Sequence, residues 1–239
     1  MSLLQVEKIV KSFGGLMALC EVNFEIHQGE IFGVIGPNGS GKTTLFNVIT
    51  GFLKANKGKV TFMEKDITGL PPHQVCRQGI ARIFQLVKPF HQLTTLQNVM
   101  VGRAYGKDPA SNIRKAKEEV VEILNFVGLG NKSEVLASQL TMAERKRLEL
   151  ARALAAHPQL LLLDELMAGL NSAETEIAME LVRKIKGSGI TVIMVEHIMK
   201  AVLGISDRVM VLNVGMKIAE GPPKEVVKNQ QVIEAYLGK

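Results

Sequence analysis

The chain has no tryptophan, only two tyrosines and two cysteines among its 239 residues, and no long apolar run. Each shortage excludes something. Cys20 and Cys76 form no CxxC pair and show no metal-ligand spacing, so neither a disulfide framework nor a zinc site supports the fold, and a reducing cytoplasm is the expected compartment. Scarce aromatics argue against a base-stacking binder of single strands. No apolar stretch approaches the roughly 18–20 residues that span a bilayer, and MSLLQVEKIVKSF carries charge where a signal peptide needs an apolar segment. Work at a membrane would then be done from a partner's surface. The formal charge of +6 is spread along the chain among acidic residues, which is no pattern for nucleic acid. Its densest knot, Arg145, Lys146 and Arg147, is expected on the solvated face of a helix, with a phosphate- or lipid-facing role as the alternative.

What is present is apolar residues, 46% of the chain, enough for one large α/β domain or a domain with a subdomain. Short β-rich runs alternate with helical stretches: LLQVEKIV, CEVNFEIH and EIFGVIG, then GKVTF, IARIF, LLLLD, TVIMVEH and RVMVLN. This alternation predicts a sheet buried by helices. EIFGVIG, LLLLD and TVIMV are nearly continuous in apolar residues, as central strands covered on both faces are. Residues 94–156 break the pattern with three predicted helices, over 96–103, 111–127 and 141–156. The second repeats Val120, Ile123, Leu124 and Val127 at helical spacing and stops at Gly128-Leu129-Gly130. NVGM around Gly215 predicts a hairpin turn, and Gly221-Pro222-Pro223 a break before a final helix.

GVIGPNGSGKTTL satisfies G-x-x-x-x-G-K-[ST] with Gly36, Gly41, Lys42 and Thr43, after an apolar strand and before a helix. Gly36, Gly39 and Gly41 allow successive backbone N–H groups to approach phosphate oxygens. The helix beginning near Lys42 aims its positive end at the same anion. Lys42 would neutralise β/γ-phosphate charge and Thr43 would offer a hydroxyl to Mg²⁺. Pro37, Asn38, Ser40 and Thr44 complete the set expected to touch nucleotide. A glycine-rich turn without nucleotide is the competing interpretation.

LLLLDE ends a buried strand on two carboxylates, where open α/β sheets place their ligands. Asp164 would organise Mg²⁺ through its water shell, and Glu165 would polarise an attacking water as general base; a surface Asp-Glu pair is the bland alternative. Gln85, after Ile83-Phe84, and His197, after TVIMVE, end predicted strands on the same sheet edge. Singly, each is more often a capping or structural residue.

The order is informative: phosphate loop, Gln85, a helical insertion, a basic helix, LLLLDE, then a histidine after the next strand. Over essentially the whole chain it resembles the ABC-transporter nucleotide-binding domain. The resemblance implies a single ABC ATPase domain over 1–239 with the P-loop NTPase fold. Its RecA-like α/β core and antiparallel β subdomain would occupy 1–93 and 157–239, and its α-helical subdomain 94–156. It implies ATP and Mg²⁺ as cofactors, Phe13 as the adenine platform, Gln85 on Mg²⁺ or water and reporting to a membrane subunit, and His197 on the γ-phosphate. A core phenylalanine is the alternative for Phe13.

One motif departs. Where the family has LSGGQ, which reaches across a dimer to the other subunit's ATP, this chain has LTMAE from Leu140 to Glu144. Thr141 keeps a hydroxyl, which the resemblance implies as a contact to the other subunit's ATP, a structural cap being the alternative; with Glu144 three residues on it predicts a capping box, and Met142 and Ala143 replace the glycines. Ala168-Gly169-Leu170-Asn171 stands for the family's SALD.

KSFGGLMAL, NVITGFLK, GIARIFQ and IEAYLG resemble the ATP-binding subunits of branched-chain amino-acid importers and their amide or urea relatives. That likeness implies a second ATP-binding subunit, identical or different, permease subunits, a solute-binding protein acting indirectly, no nucleic acid, and a peripheral place on the cytoplasmic face of the membrane. Two other classes fit the sequence less well. A soluble ABC ATPase of translation or repair usually carries tandem cassettes or a long coiled coil, for which this chain lacks room. A phosphate-loop kinase or GTPase would need an acceptor pocket or an NKxD stretch, and neither is present.

Overall fold

The computed structural model describes residues 2–237. In chain order its strands and α-helices are β1 (Ser2–Phe13), β2 (Leu16–His27), β3 (Ile31–Ile35), α1 (Lys42–Ile49), β4 (Lys57–Phe62), β5 (Lys65–Asp66), α2 (Pro72–Gln78), β6 (Ile80–Ile83), α3 (Thr95–Tyr105), α4 (Ile113–Phe126), α5 (Met142–Leu154), β7 (Leu160–Asp164), α6 (Ser172–Gly187), β8 (Thr191–Val195), α7 (Met199–Ile205), β9 (Arg208–Asn213), β10 (Met216–Gly221), α8 (Pro223–Val226) and α9 (Gln230–Leu237). They build two sheets. One is antiparallel, ordered β2-β1-β4-β5; the other runs β10-β9-β3-β8-β7-β6 and is parallel except for β10 at its edge.

The parallel sheet divides the apolar side chains into two cores by simple alternation, because successive residues of a strand point to opposite faces. Leu161, Leu163, Val192, Met194, Val209 and Val211 pack with Val99, Leu148, Met179 and Val182 of α3, α5 and α6. Leu160, Leu162, Ile193, Val195, Met210 and Leu212 pack with Leu45 and Phe46 of α1 and with Leu4, Val22, Ile26 and Val60 of the antiparallel sheet. A strand serving both cores needs apolar residues at every position, which is why LLLLD and TVIMV show no polar alternation.

Residues 94–156 hold α3, α4 and α5 and no strand of either sheet. Their N-termini carry the expected chemistry. Thr94 accepts from the Gln97 N–H at 3.1 Å and Thr141 from the Glu144 N–H at 3.3 Å, each in a reciprocal capping box. Asn171 does the same for α6. The chain departs from expectation in small elements. KSFGGLMAL is the tip of the β1–β2 hairpin, turning at Gly14 with φ 56°. The single helix expected after Pro223 is two, since the Asn229 side chain accepts from the Gln231 N–H at 2.9 Å and starts the second.

The expected turn at Gly215 joins β9 to β10, with φ 46° at Val214 and 76° at Gly215. Positive φ at both central positions is the hairpin geometry that matches strand twist. Gly215 also ties the sheets to the loop after β3: its N–H donates to the Ser40 carbonyl at 3.0 Å and its carbonyl accepts from the Cys20 N–H at 2.8 Å.

Candidate nucleotide site

The chain leaves β3 at Ile35 and enters α1 at Lys42 through a loop that only glycine permits. A Cβ on Gly36, at φ 151°, would lie 2.0 Å from the Leu212 carbonyl oxygen, and one on Gly41, at φ 105°, 2.6 Å from that of Ala18. Both are closer than non-bonded atoms approach, so the loop holds its curve against β9 and β2 by lacking side chains there. Lys42 is buried at the loop's centre, its ammonium donating to the carbonyls of Gly36 (2.8 Å) and Pro37 (2.9 Å) and to Ser40 Oγ (3.4 Å). Burial lowers its pKa, and the carboxylates of Glu165 and Asp164 pull it back up. Asn38, Gly39 and Thr43 are exposed, Pro37 and Thr44 half-buried. α1 presents its unbonded first-turn N–H groups at this curve, a geometry suited to an anion.

The two carboxylates stand beside it. Asp164 ends β7, and Glu165 follows with φ 53°, a left-handed conformation that costs a non-glycine residue ~1–2 kcal/mol. That twist turns the Glu165 side chain toward its neighbours in the sheet. Gln85 Nε2 donates to Glu165 Oε2 at 2.7 Å, and His197 Nε2 lies 2.8 Å from Oε1. The three residues are far apart in sequence and meet because β6, β7 and β8 are adjacent and parallel, so their C-terminal ends lie side by side. A carboxylate held between an amide and an imidazole can orient a water.

Comparison with known proteins identifies the family. The family model for ABC transporters matches residues 19–168, and that for the branched-chain amino acid ATP-binding cassette transporter matches residues 216–239. The LivG high-affinity branched-chain amino acid transport ATP-binding protein of Salmonella typhimurium is 39% identical over 251 residues, covering 99% of this chain and 98% of that one. The chain belongs to the ABC transporter ATP-binding family. It is an ATPase subunit with the P-loop ABC cassette fold. The crystal structure of an ABC transporter's ATP-binding cassette in its ADP conformation superposes with a TM-score of 0.91 at 35% identity, covering 100% of both chains. A dimeric cassette in a post-hydrolysis state bound to ADP and Pi gives 0.82 at 26% identity, covering 92% of this chain and 98% of that one.

Within this ABC cassette, Phe13 is 46% exposed at the end of β1, with Lys11 Nζ 5.1 Å from its ring centroid. It is no core residue, and the Lys11 ammonium lies over the ring in a cation–π contact. Thr141 shares no hydrogen bond with the phosphate loop among the described residues. Glu144 does not leave a free charge at the α5 N-terminus. One of its oxygens accepts from the Thr141 N–H at 2.9 Å and the other pairs with Lys132, and these partners, Lys132 first, hold its carboxyl below the usual range.

Several neighbours escaped sequence reasoning. Arg82, inside the strand IARIF, is paired with Asp164 at 2.7 Å, both side chains 5% exposed. It also donates to Asn47 Oδ1 at 2.6 Å and lies over the rings of Phe46 and Phe84. A charge in an otherwise apolar strand was the available signal. The basic knot is corrected: Lys146 does not lie on a solvated face but is buried, donating to the carbonyls of Leu166 (2.7 Å) and Ala168 (2.5 Å). It falls on the stripe of Leu150, Ala153 and Leu154, which α5 turns inward.

Thr43, Gln85, Arg82 and Asp164 open into one groove of about 870 Å³ between α1 and β6 on one side and α3 and α5 on the other. A hydroxyl and a carboxylate on the same groove are hard oxygen donors of the kind Mg²⁺ takes when phosphates and waters supply the rest. The residues present therefore fit that ion. Exposed Phe52, Phe84, Leu86 and Tyr105 line the same groove.

Proposed function

We propose that this cassette binds MgATP in the loop 36–43, hydrolyses it with Glu165 as general base, and thereby energises import of branched-chain amino acids or related small solutes. The observation that carries the reading is the Glu165 carboxylate fixed between Gln85 and His197 beside Lys42. Glu165 takes the proton of the attacking water, and His197 donates a hydrogen bond to the γ-phosphate as charge develops. Lys42 and the α1 N-terminus hold the phosphates. Phe13 stacks on adenine. Bound Mg²⁺, held through Thr43, Asp164 and Gln85, would neutralise charge on the β/γ-phosphate oxygens.

The solute class rests on the relatives' names and on the C-terminal family match. The remaining architecture is part of the same proposal: a single domain whose helical subdomain is 94–156, and a second ATP-binding subunit whose nucleotide meets Thr141. Permease subunits dock in the groove, whose exposed apolar residues suit a partner's helix and whose rim carries Gln85. A solute-binding protein feeds those permeases, and the cassette sits on the cytoplasmic face of the membrane. No helix among the described residues is long and apolar enough to cross a membrane.

Glu165→Gln tests the base. It should keep equilibrium ATP binding, lose at least about 100-fold in kcat, and accumulate the closed cassette dimer. Turnover near that of the parent would remove Glu165 from the role. Lys42→Ala should instead weaken ATP binding by about 10–100-fold, read by equilibrium binding. Co-purification of the assembly from membranes, with ATPase activity assayed against branched-chain amino acids and amides, tests the solute class.

A further inference from the structure

We propose that Lys146 and Glu196 are positioning residues for Glu165, holding its left-handed turn from behind. The inference rests on the reading of Glu165 as the base, and adds two buried residues packed behind it.

The turn is an awkward piece of backbone. Glu165 has φ 53°, a conformation that persists in a non-glycine residue only where its surroundings over-determine it. β7 has ended and α6 begins only at Ser172, and the backbone between makes few bonds of its own: Glu165 N–H donates to the Val195 carbonyl at 2.9 Å, and the carbonyls of Glu165 and Met167 accept from Ala168 and Leu170 N–H, each at 3.2 Å. Two opposite charges serve the groups that remain, the Leu166 and Ala168 carbonyls and the Met167 amide. The Lys146 ammonium, 6% exposed, points three donors at the carbonyls of Leu166 (2.7 Å), Ala168 (2.5 Å) and Glu165 itself (3.4 Å). Glu196, 3% exposed, accepts from the Met167 N–H at 2.8 Å. A cation thus serves the carbonyls and an anion the intervening amide. Neither charge has another hydrogen-bonded side-chain partner among the described residues.

The two charges come from different places. Glu196 follows β8 and immediately precedes His197, so the residue that fixes the turn from behind adjoins the one that touches Glu165 from the front. Lys146 lies on α5, five residues past the Thr141 cap. Displacing the N-terminal end of α5 would therefore pull on the carbonyl of Glu165. The segment offered to a second cassette is mechanically joined to this cassette's own base.

The test uses the full chain in its membrane-purified assembly, comparing Lys146→Met, Glu196→Ala, Glu196→Gln and Glu165→Gln. Met keeps the length of the stem and loses the donors; Gln keeps an acceptor for Met167, and Ala does not. Lys146→Met and Glu196→Ala should lower kcat on the order of 10–100-fold while KM and ATP affinity stay within about twofold, and Glu196→Gln should restore kcat to within about threefold of the parent. Amide exchange should speed up over 165–170 in the two impaired variants and not over α1. Unchanged kcat in Lys146→Met, with Glu165→Gln inactive, would overturn the inference and leave the base intact. An equal loss of kcat and ATP affinity would overturn it too, by showing general loosening. Parent-like turnover of Glu165→Gln would overturn the reading of the base and this inference with it. Should Lys146→Met fail to fold, the Ala and Gln variants of Glu196 decide alone.

Discussion

Glu196 is a carboxylate in an apolar place. Burial raises its pKa from 4.5 to about 7, against the Met167 N–H and Lys146, which favour the charged form. A folded pKa above the unfolded one means that the native chain binds the extra proton between pH 4.5 and 7. The group's contribution to stability is then complete below the lower value, declines as pH rises through 7, and stays lost above it. Glu196→Gln has no such proton to lose. Its stability relative to the parent, from urea unfolding, should improve by on the order of 3 kcal/mol between pH 5 and pH 8. A pH-independent difference would place the titration elsewhere. Arg82 poses the converse problem. Arg82→Met would leave Asp164 buried without its partner and should cost roughly 3–5 kcal/mol of unfolding free energy. These residues explain where sequence reasoning stopped. Gln85, Glu165 and His197 were legible because each ends a strand and their order follows one pattern. Arg82, Lys146 and Glu196 act through partners across the chain, and no local spacing announces such a pairing.

At the scale of elements, the legible parts are those whose local chemistry and global place agree. LLLLD and TVIMV declared themselves as central strands because two cores demand an apolar residue at every position. The α5 N-terminus declared itself through Thr141 and Glu144, and a cap of this kind is separable from any role toward a partner's nucleotide. Thr141→Ala should destabilise the isolated chain by about 1 kcal/mol, and Thr141→Ser should not, both read by thermal unfolding. If turnover in the assembly falls in the Ala variant and returns with Ser, the hydroxyl serves more than the cap. β5 and α2 were illegible because they are too short for periodicity to show, at two and seven residues. The tip of the β1–β2 hairpin was missed because its flanks lack strand alternation.

For the whole molecule, the groove between the α/β core and the helices α3 and α5 is where the proposed nucleotide chemistry and the proposed permease docking adjoin. Leu86 is 69% exposed on it, one residue past Gln85. Leu86→Glu should leave unfolding temperature and ATP binding unchanged while abolishing co-purification with the permease subunits. Retained co-purification would move the docking surface elsewhere.

β7 has a further consequence, in what evolution is free to edit. Its four leucines alternate between two separate cores before the chain reaches Asp164 and Glu165. Their identities are exchangeable, since any apolar side chain of similar volume fills either core. Their number is not. Inserting or deleting one residue would send every leucine to the opposite core and turn Asp164 away from Arg82. Lineages of this chain should therefore vary in the letters of 160–163 and tolerate no change in its length.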